Sequence, residues 1–509
     1  MRRPRRTGRA EPAPFDAEQD GTTMRRRELL NGLATTSALM LGGRGGASAI
    51  AQGSVGDLKG DMAILRGALA LHPGLYRYLS PRAAEAGLTT LEAEYLAAPD
   101  LAARYLALSR FLATIRCGHS YCNFFNQRRV IVDALFDRPT RLPFAFRWID
   151  GDMVVTADHS GTGRLARGTV ITRVNGLPAR TLLATLMPYA RADGGNDGKR
   201  RSLLEVRGDD SIEYFDVFQG LILPPRDGVH HIEARMPGGS VQALDLPAID
   251  LAARRGFMPP PPGPQDVQWD WQMRDDGVAV LTMPGWALYN SKWDWRGWLG
   301  DRLASLGDAK GLVVDLRDNE GGLDCGDDIL ARLTTRDLTF PGDDQRIRFR
   351  RTPAALDPYL DTWDDGFRTL GEGATALGDG WYRRPAADEI QAIPAMTPRI
   401  TVPVAALIGP VNSSATFQFA RRARQTGLVR LFGGESGGNR RGINGGCFFF
   451  VRLPGSGIEF DLPLVGYFPA QPQPDAGIQP DVQVQANADD IVHGRDPTLA
   501  AALEWVRRA

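Results

Sequence analysis

Apolar residues recur at spacings of three and four from Gly56 to Ile115, and Leu101, Tyr105, Leu108, Leu112 and Ile115 form one such face. That period predicts helices with one buried side. His72-Pro73-Gly74 breaks an early helix, because a Pro-Gly pair favours a turn. After Arg116-Cys117-Gly118-His119-Ser120 the pattern becomes extended, beginning near Tyr121-Cys122-Asn123-Phe124. Residues 130–250 read as a β-rich module in which the run from Leu165 to Gly176 is a turn, a strand and an Asn175-Gly176 turn. Thr181 to Tyr189 fits a short helix there, and His230-His231 falls in a loop. The Pro-rich run Met258 to Pro264 suits a stiff extended linker, since it can sustain neither helix nor central strand.

Past the linker, strand and helix signals alternate. Val278–Leu281, Leu312–Leu316 and Val402–Ile408 are apolar runs of strand length. Trp295–Leu306, Asp327–Leu333 and the segment opening at Ser414 suit helices, and further strands are expected at Phe448–Leu453 and Ile458–Leu462. Alternation of this kind points to βαβ units. The expected fold class is α/β in a multidomain (α+β) chain. Its parts are a leader over 1–51, a helical region over 52–129, a β-rich module over 130–255, a linker over 256–274 and a βαβ domain over 275–509.

The chain has 509 residues, too many for one core. Its hydrophobic fraction of 43% and charged fraction of 24% are those of an ordinary globular protein, and its formal net charge of zero gives no sign of a nucleic-acid partner. Residues 1–51 change the picture locally. Arg26-Arg27-Glu28-Leu29-Leu30-Asn31 precedes a modestly apolar stretch from Gly32 to Gly43 and two small-residue sites, Ala47-Ser48-Ala49 and Ala49-Ile50-Ala51. This is the layout of a twin-arginine export signal, so a periplasmic or secreted location is expected. The apolar run is too short for a permanent membrane span. The leader carries nine Arg against five acidic residues, a net +4, which leaves the rest of the neutral chain near −4. Four cysteines, Cys117, Cys122, Cys325 and Cys447, permit disulfides in an exported chain, although free buried thiols fit equally well. No CxxC pair is present, so the spacing does not suggest zinc.

Candidate chemistry lies where strands run into turns. Gly409, Pro410 and Asn412 interrupt the Val402 strand, and Ser413 and Ser414 open the helix that follows. A serine there can cap the helix, or it can be a nucleophile beside backbone N–H groups that stabilise an oxyanion. Gly311-Leu312-Val313-Val314-Asp315-Leu316-Arg317-Asp318-Asn319-Glu320-Gly321-Gly322 runs from an apolar strand into a charged turn ending in two glycines. Paired glycines let the backbone come close to a ligand and offer it N–H groups.

With these stretches assembled, the chain resembles the S41 serine peptidases, the family of tail-specific processing proteases and tricorn-like proteases. Asp315-Leu316-Arg317-Asp318-Asn319-Glu320-Gly321-Gly322 matches its D-L-R-x-N-x-G-G. Asn412-Ser413-Ser414-Ala415 falls at the nucleophile motif, Gly434-Glu435-Ser436-Gly437-Gly438 at G-E-x-T-G-G, and Gly477-Ile478-Gln479-Pro480-Asp481-Val482 at the final G-I-x-P-D. Gly118-His119-Ser120 is similar to the D-G-H-T segment of the tricorn-like branch, with Cys117 where that branch favours Asp. The run Gly168-Thr169-Val170-Ile171 to Val174-Asn175-Gly176 is similar to the core of PDZ-type modules.

The resemblance implies an S41-type, ClpP/crotonase-like catalytic domain, a PDZ-like module that captures substrate, and peptide-bond hydrolysis. It makes Ser414 the nucleophile, His119 the base, and the N–H groups of Gly322 (or Gly321) and Ala415 the oxyanion hole. Protein or peptide substrates are implied, with no metal and no organic cofactor. Processing proteases use a lysine after the nucleophile, but that register holds Asn439, and no lysine follows Lys310. Asp475 lies near the tricorn-like glutamate, where it is either the orienter of His119 or an Asx-turn residue ahead of Gly477. S41-related folds also occur in a retinoid carrier, so a non-catalytic binding protein for a hydrophobic ligand or peptide is the rival expectation.

Overall fold

The centre of the C-terminal half is a six-stranded sheet in the order Val482–Gln483, Arg430–Gly433, Val404–Ile408, Gly311–Asp315, Val278–Thr282, Asp270–Met273. This computed structural model describes residues 54–384 and 390–509; the expected leader over 1–51 lies outside the described residues. Every neighbouring pair in the sheet is parallel except the last. Parallel strands are covered on both faces, which is why their sequences are unbroken apolar runs rather than alternating ones. All five residues of Val404–Ile408 are accordingly buried. On one face Leu312, Val314 and Ala406 pack with Ile329 and Phe417 of the helices Cys325–Arg332 and Ser414–Thr426. On the other, Val313, Ala405 and Leu407 pack with Ala502 and Val506 of the helix Pro497–Arg508. Leu407 pairs with Asp315, so the two central strands end side by side. The turns that follow them therefore leave the same edge of the sheet, which is where ligands bind in open α/β sheets.

An antiparallel sheet built on the hairpin Asn444–Arg452 and Glu459–Phe468 extends the C-terminal half. A third sheet holds Phe144–Ile149, Asp152–Asp158, Val170–Val174, Val229–Arg235 and Val241–Pro247. The N-terminal helices Val55–Leu69, Pro81–Ala97 and Leu101–Thr114 begin at Ser54, Ser80 and Asp100, whose side chains accept N–H groups of the first turn.

One hydrophobic core joins the N-terminal helices, the third sheet and the hairpin, from Leu58 and Leu65 through Phe144 and Phe215 to Phe449 and Leu462. Polar pins cross the same seam. Buried Asp61 accepts the N–H groups of Gly455 at 2.6 Å and Ser456 at 2.8 Å and the Tyr95 hydroxyl at 3.0 Å. Asp461 accepts the amides of Asn123 at 2.7 Å and Asn126 at 2.8 Å, and burial pushes its carboxyl up to about 7.

The structure corrects two expectations and settles one that was open. Tyr121–Phe124 is a turn segment and not a strand, because the Asn123 side chain takes the Phe125 N–H and the Asp461 carboxylate instead of leaving a ladder free. His230 and His231 lie in the strand Val229–Arg235, with His230 buried 3.1 Å from the Thr140 carbonyl. The cysteines resolve to the free alternative, all four thiols being buried and unbridged. Among the described residues no helix is long and apolar enough to cross a membrane.

Candidate active site

Ser414 is the first residue of its helix, and its backbone is left-handed, with φ +51°. A side chain in that region is strained, and such strain persists only where the surroundings enforce it. Here they do. Asn412 donates its side-chain amide to the carbonyls of Leu316 and Asn319, while its own carbonyl receives the N–H groups of Gly437 at 2.6 Å and Gly438 at 3.0 Å. The Thr416 hydroxyl bonds the carbonyls of Asn319 at 3.0 Å and Ser413 at 2.8 Å. Ser413 occupies the cap position without a side-chain capping bond, and its hydroxyl donates to the Glu320 carbonyl at 3.1 Å instead. Neither serine therefore caps the helix through its hydroxyl.

The glycine pair lies against this turn. A Cβ on Gly321 would come within 2.8 Å of the Ser413 carbonyl and 2.9 Å of the Ala415 nitrogen, and one on Gly322 within 2.1 Å of the Trp286 carbonyl. Both backbones have positive φ, 111° and 137°, so only glycine fits. The Gly321 N–H is spent on the Asn319 side chain at 2.9 Å. Among the described residues the N–H groups of Gly322 and Ala415 have no hydrogen-bond partner, which leaves them available.

His119 arrives from the other half of the chain. The segment that follows it is fixed to the hairpin by Asp461 N–H donating to the Tyr121 carbonyl at 3.0 Å and by a two-way bond between Gln127 and the Glu459 backbone. Ser120 is held by His72, 2.8 Å away. The His119 ring packs on Phe448, with centroids 5.8 Å apart, and its Nδ1 is buried without a partner. Burial lowers its pKa, while Asp193 pulls it back up, Arg191 lowers it and Glu320 raises it. The link to Ser414 is a chain of contacts. Arg191 donates to the Gly118 carbonyl at 2.6 Å and to Glu320 at 3.1 Å, and Glu320 precedes Gly321, where an added Cβ would stand 3.0 Å from the Ser414 Cβ. His119 and Ser414 share no hydrogen bond, although such bonds often tighten only when substrate binds.

Two groups were not visible in the sequence pattern. Lys199 donates its ammonium to Glu320 and to the Val411 carbonyl, the latter at 2.9 Å, so a lysine does reach the site from the helix Asp197–Leu203. Burial pulls its pKa down and Glu320 pushes it back up. The Glu320 carboxyl is penalised by burial, but Arg191 and Lys199 outweigh that and hold it well below the ordinary range. Asp193 is buried beside Gly118, whose N–H it accepts through Oδ1 at 2.8 Å. No motif names either residue, because both depend on contacts between distant parts of the chain.

Asp475 sits elsewhere from the His119 ring nitrogens in bonding terms. Its Oδ1 accepts the Gly195 N–H at 2.9 Å and the Asn439 amide at 2.7 Å, and no hydrogen bond joins it to His119. The two last motifs are fastened together: the Gly477 N–H meets Glu435 at 2.5 Å and the Ile478 N–H meets Ser436 at 2.8 Å. Arg317 pairs with Asp315 and with Asp496, the cap of the C-terminal helix, so these charges of the first motif brace the sheet. Cys117, His119 and Asp193 bring possible metal-donor atoms within 4.8 Å of one another. Burial, with Asp193 adding to it, raises the Cys117 thiol above its ordinary range.

Residues 277–484 match the model of Peptidase family S41. Comparison with curated proteins finds no match. Among solved structures the chain is similar to mature CPAF complexed with lactacystin, at TM-score 0.62 and 15% identity over 89% of this chain and 98% of that one. For mature CPAF the TM-score is 0.54 at 15% identity, over 89% of this chain and 97% of that one. The photosystem II D1 C-terminal processing protease is 15% identical over 88% of this chain and 96% of that one, at TM-score 0.38. At such identities the likeness to the first two is one of fold.

Proposed function

We propose that this chain, a serine-type peptidase whose residues 277–484 form a domain of peptidase family S41, cleaves polypeptides through an acyl-enzyme on Ser414 with His119 as base. The observation that carries the reading is the enforced left-handed backbone of Ser414 beside two unspent N–H groups, on Gly322 and Ala415. Ser414 Oγ attacks the peptide carbonyl as His119 takes its proton. The oxyanion forms against Gly322 N–H and Ala415 N–H, where fixed dipoles stabilise charge at no reorganisation cost. His119 then gives the proton to the leaving amine, and water, activated by the same ring, releases the acyl group. Lys199 does not compete as base, because its nitrogen is committed as a donor to Glu320 and Val411. Asp475 acts on the ring from a distance: with Asn439 it fixes the 193–195 loop that lies against Gly118.

A fluorophosphonate probe tests the reading. Wild-type protein should label at Ser414 and hydrolyse an unfolded protein substrate. Ser414→Ala should lose both, while Ser413→Ala, which gives up only the bond to the Glu320 carbonyl, should keep most of its rate. Equal activity in the two variants would move the nucleophile elsewhere, and an unlabelled wild type would favour the binding-protein rival.

The same reading places the enzyme outside the cytoplasm, supported by Arg26-Arg27 and the small-residue sites at Ala49 and Ala51. Lysine at both arginines should leave the precursor in the cytoplasmic fraction. Unchanged export of that variant would assign another route.

A further inference from the structure

His119 presents a buried Nδ1 with no partner, and Asp193 presents a buried Oδ2 with no partner. A ring nitrogen of the one and a carboxylate oxygen of the other lie within 4.8 Å. Two complementary groups left orphaned side by side are costly unless they bond each other. We propose that Asp193 is the positioning residue of the catalytic histidine, accepting the Nδ1–H of His119 so that Nε2 is the bare nitrogen that takes the Ser414 proton. The proposal rests on the Ser414/His119 reading above and adds the group that orients the ring.

The surroundings fit that role. Asp193 Oδ1 is anchored on the Gly118 N–H at 2.8 Å, so the carboxylate is fixed to the residue next to the one it orients. Gly118 has no room for a side chain there, because a Cβ would stand 2.9 Å from Asp193 Oδ2. The loop that carries Asp193 is itself held: Gly194 N–H meets the Arg116 carbonyl at 2.9 Å, and the Asn439 amide reaches the Asp193 carbonyl at 3.3 Å. Asp475, which also binds that amide, closes the support at Gly195. The other groups facing the ring cannot serve. Arg191 and Lys199 are cations, Glu320 is taken by both of them, and the Cys117 thiol is a weak acceptor already met by Asn444 at 3.4 Å. A carboxylate on Nδ1 fixes the tautomer and stabilises the imidazolium formed during the reaction, which is the work of the acidic member in other Ser/His systems.

Asp193→Asn separates this role from a structural one. The amide oxygen can still accept the Gly118 N–H, whereas the NH2 cannot accept Nδ1–H. kcat/KM should fall by roughly 10³–10⁴-fold with KM little changed. Loss of the negative charge should also lower the imidazole pKa further, moving the acid limb of kcat/KM to lower pH. Asp475→Asn should fall less and leave the limb in place. The tautomer is read without activity: in ¹⁵N-histidine spectra of Ser414→Ala protein, His119 should carry its neutral-form proton on Nδ1. A bare Nδ1 there, or an Asp193→Asn enzyme with wild-type rate and limb, would overturn the role of Asp193. If His119→Ala still labels at the wild-type rate, the underlying reading fails instead.

Discussion

Ser414 is the residue at which conformation and chemistry are most tightly joined. Its φ of +51° costs a non-glycine residue about 1–3 kcal/mol, a cost the bonds of Asn412 and Thr416 sustain. Two inactive variants should therefore differ in stability. Ser414→Gly relieves the strain and should unfold at higher denaturant than Ser414→Ala, by roughly 1 kcal/mol after the extra chain freedom of glycine is offset. An alanine variant as stable as the glycine one would show that the turn is not strained. At this scale the sequence was informative wherever a residue acts within its own motif, as Ser414, Gly321 and Gly322 do. Asp193 and Lys199 were not legible, because their meaning comes from Gly118 and Glu320, 75 and 121 positions away.

Among elements, the apolar runs are legible in the sequence and the seams are not. Gly311–Asp315 and Val404–Ile408 are strands because they are buried on both faces, and an unbroken run of aliphatic residues has little other use. Tyr121–Phe124 has the composition of a strand, yet its turn is dictated by Asp461, far away in sequence. His230 shows the opposite failure, a polar pair that nevertheless sits in a strand with one member buried on Thr140. The seam between the first helix and the hairpin can be tested at Asp61. Asp61→Ala strands the N–H groups of Gly455 and Ser456 and the Tyr95 hydroxyl, at about 1–3 kcal/mol for each group left buried and unpaired. Chemical denaturation should show a loss of several kcal/mol. A change below about 0.5 kcal/mol, the size typical of surface sites, would mean that the seam is wet.

For the whole molecule, the expected division at residue 275 has a sharp test. The hairpin Asn444–Phe468 buries Phe449, Leu462 and Leu464 in the core that begins at Leu58 and Leu65. A fragment of residues 275–509 would expose that apolar face to water, and exposed faces of this kind lead to aggregation or loose packing. It should show molten-globule behaviour, with strong dye binding and little near-ultraviolet dichroism. A fragment with a cooperative melt and native-like dichroism would make the C-terminal half an independent unit.

The two halves of the proposed proton-transfer pair are also separated in time. A ribosome makes His119 long before Ser414, and at roughly 5–20 residues per second the interval is on the order of 15–60 s. The hairpin that holds the histidine segment through Asp461 and Glu459 is translated later still. Throughout that interval the nascent polypeptide holds a base without a nucleophile and a segment without its support. On the proposed mechanism, hydrolytic capacity is thus expected to arise only once both segments and the hairpin have been made.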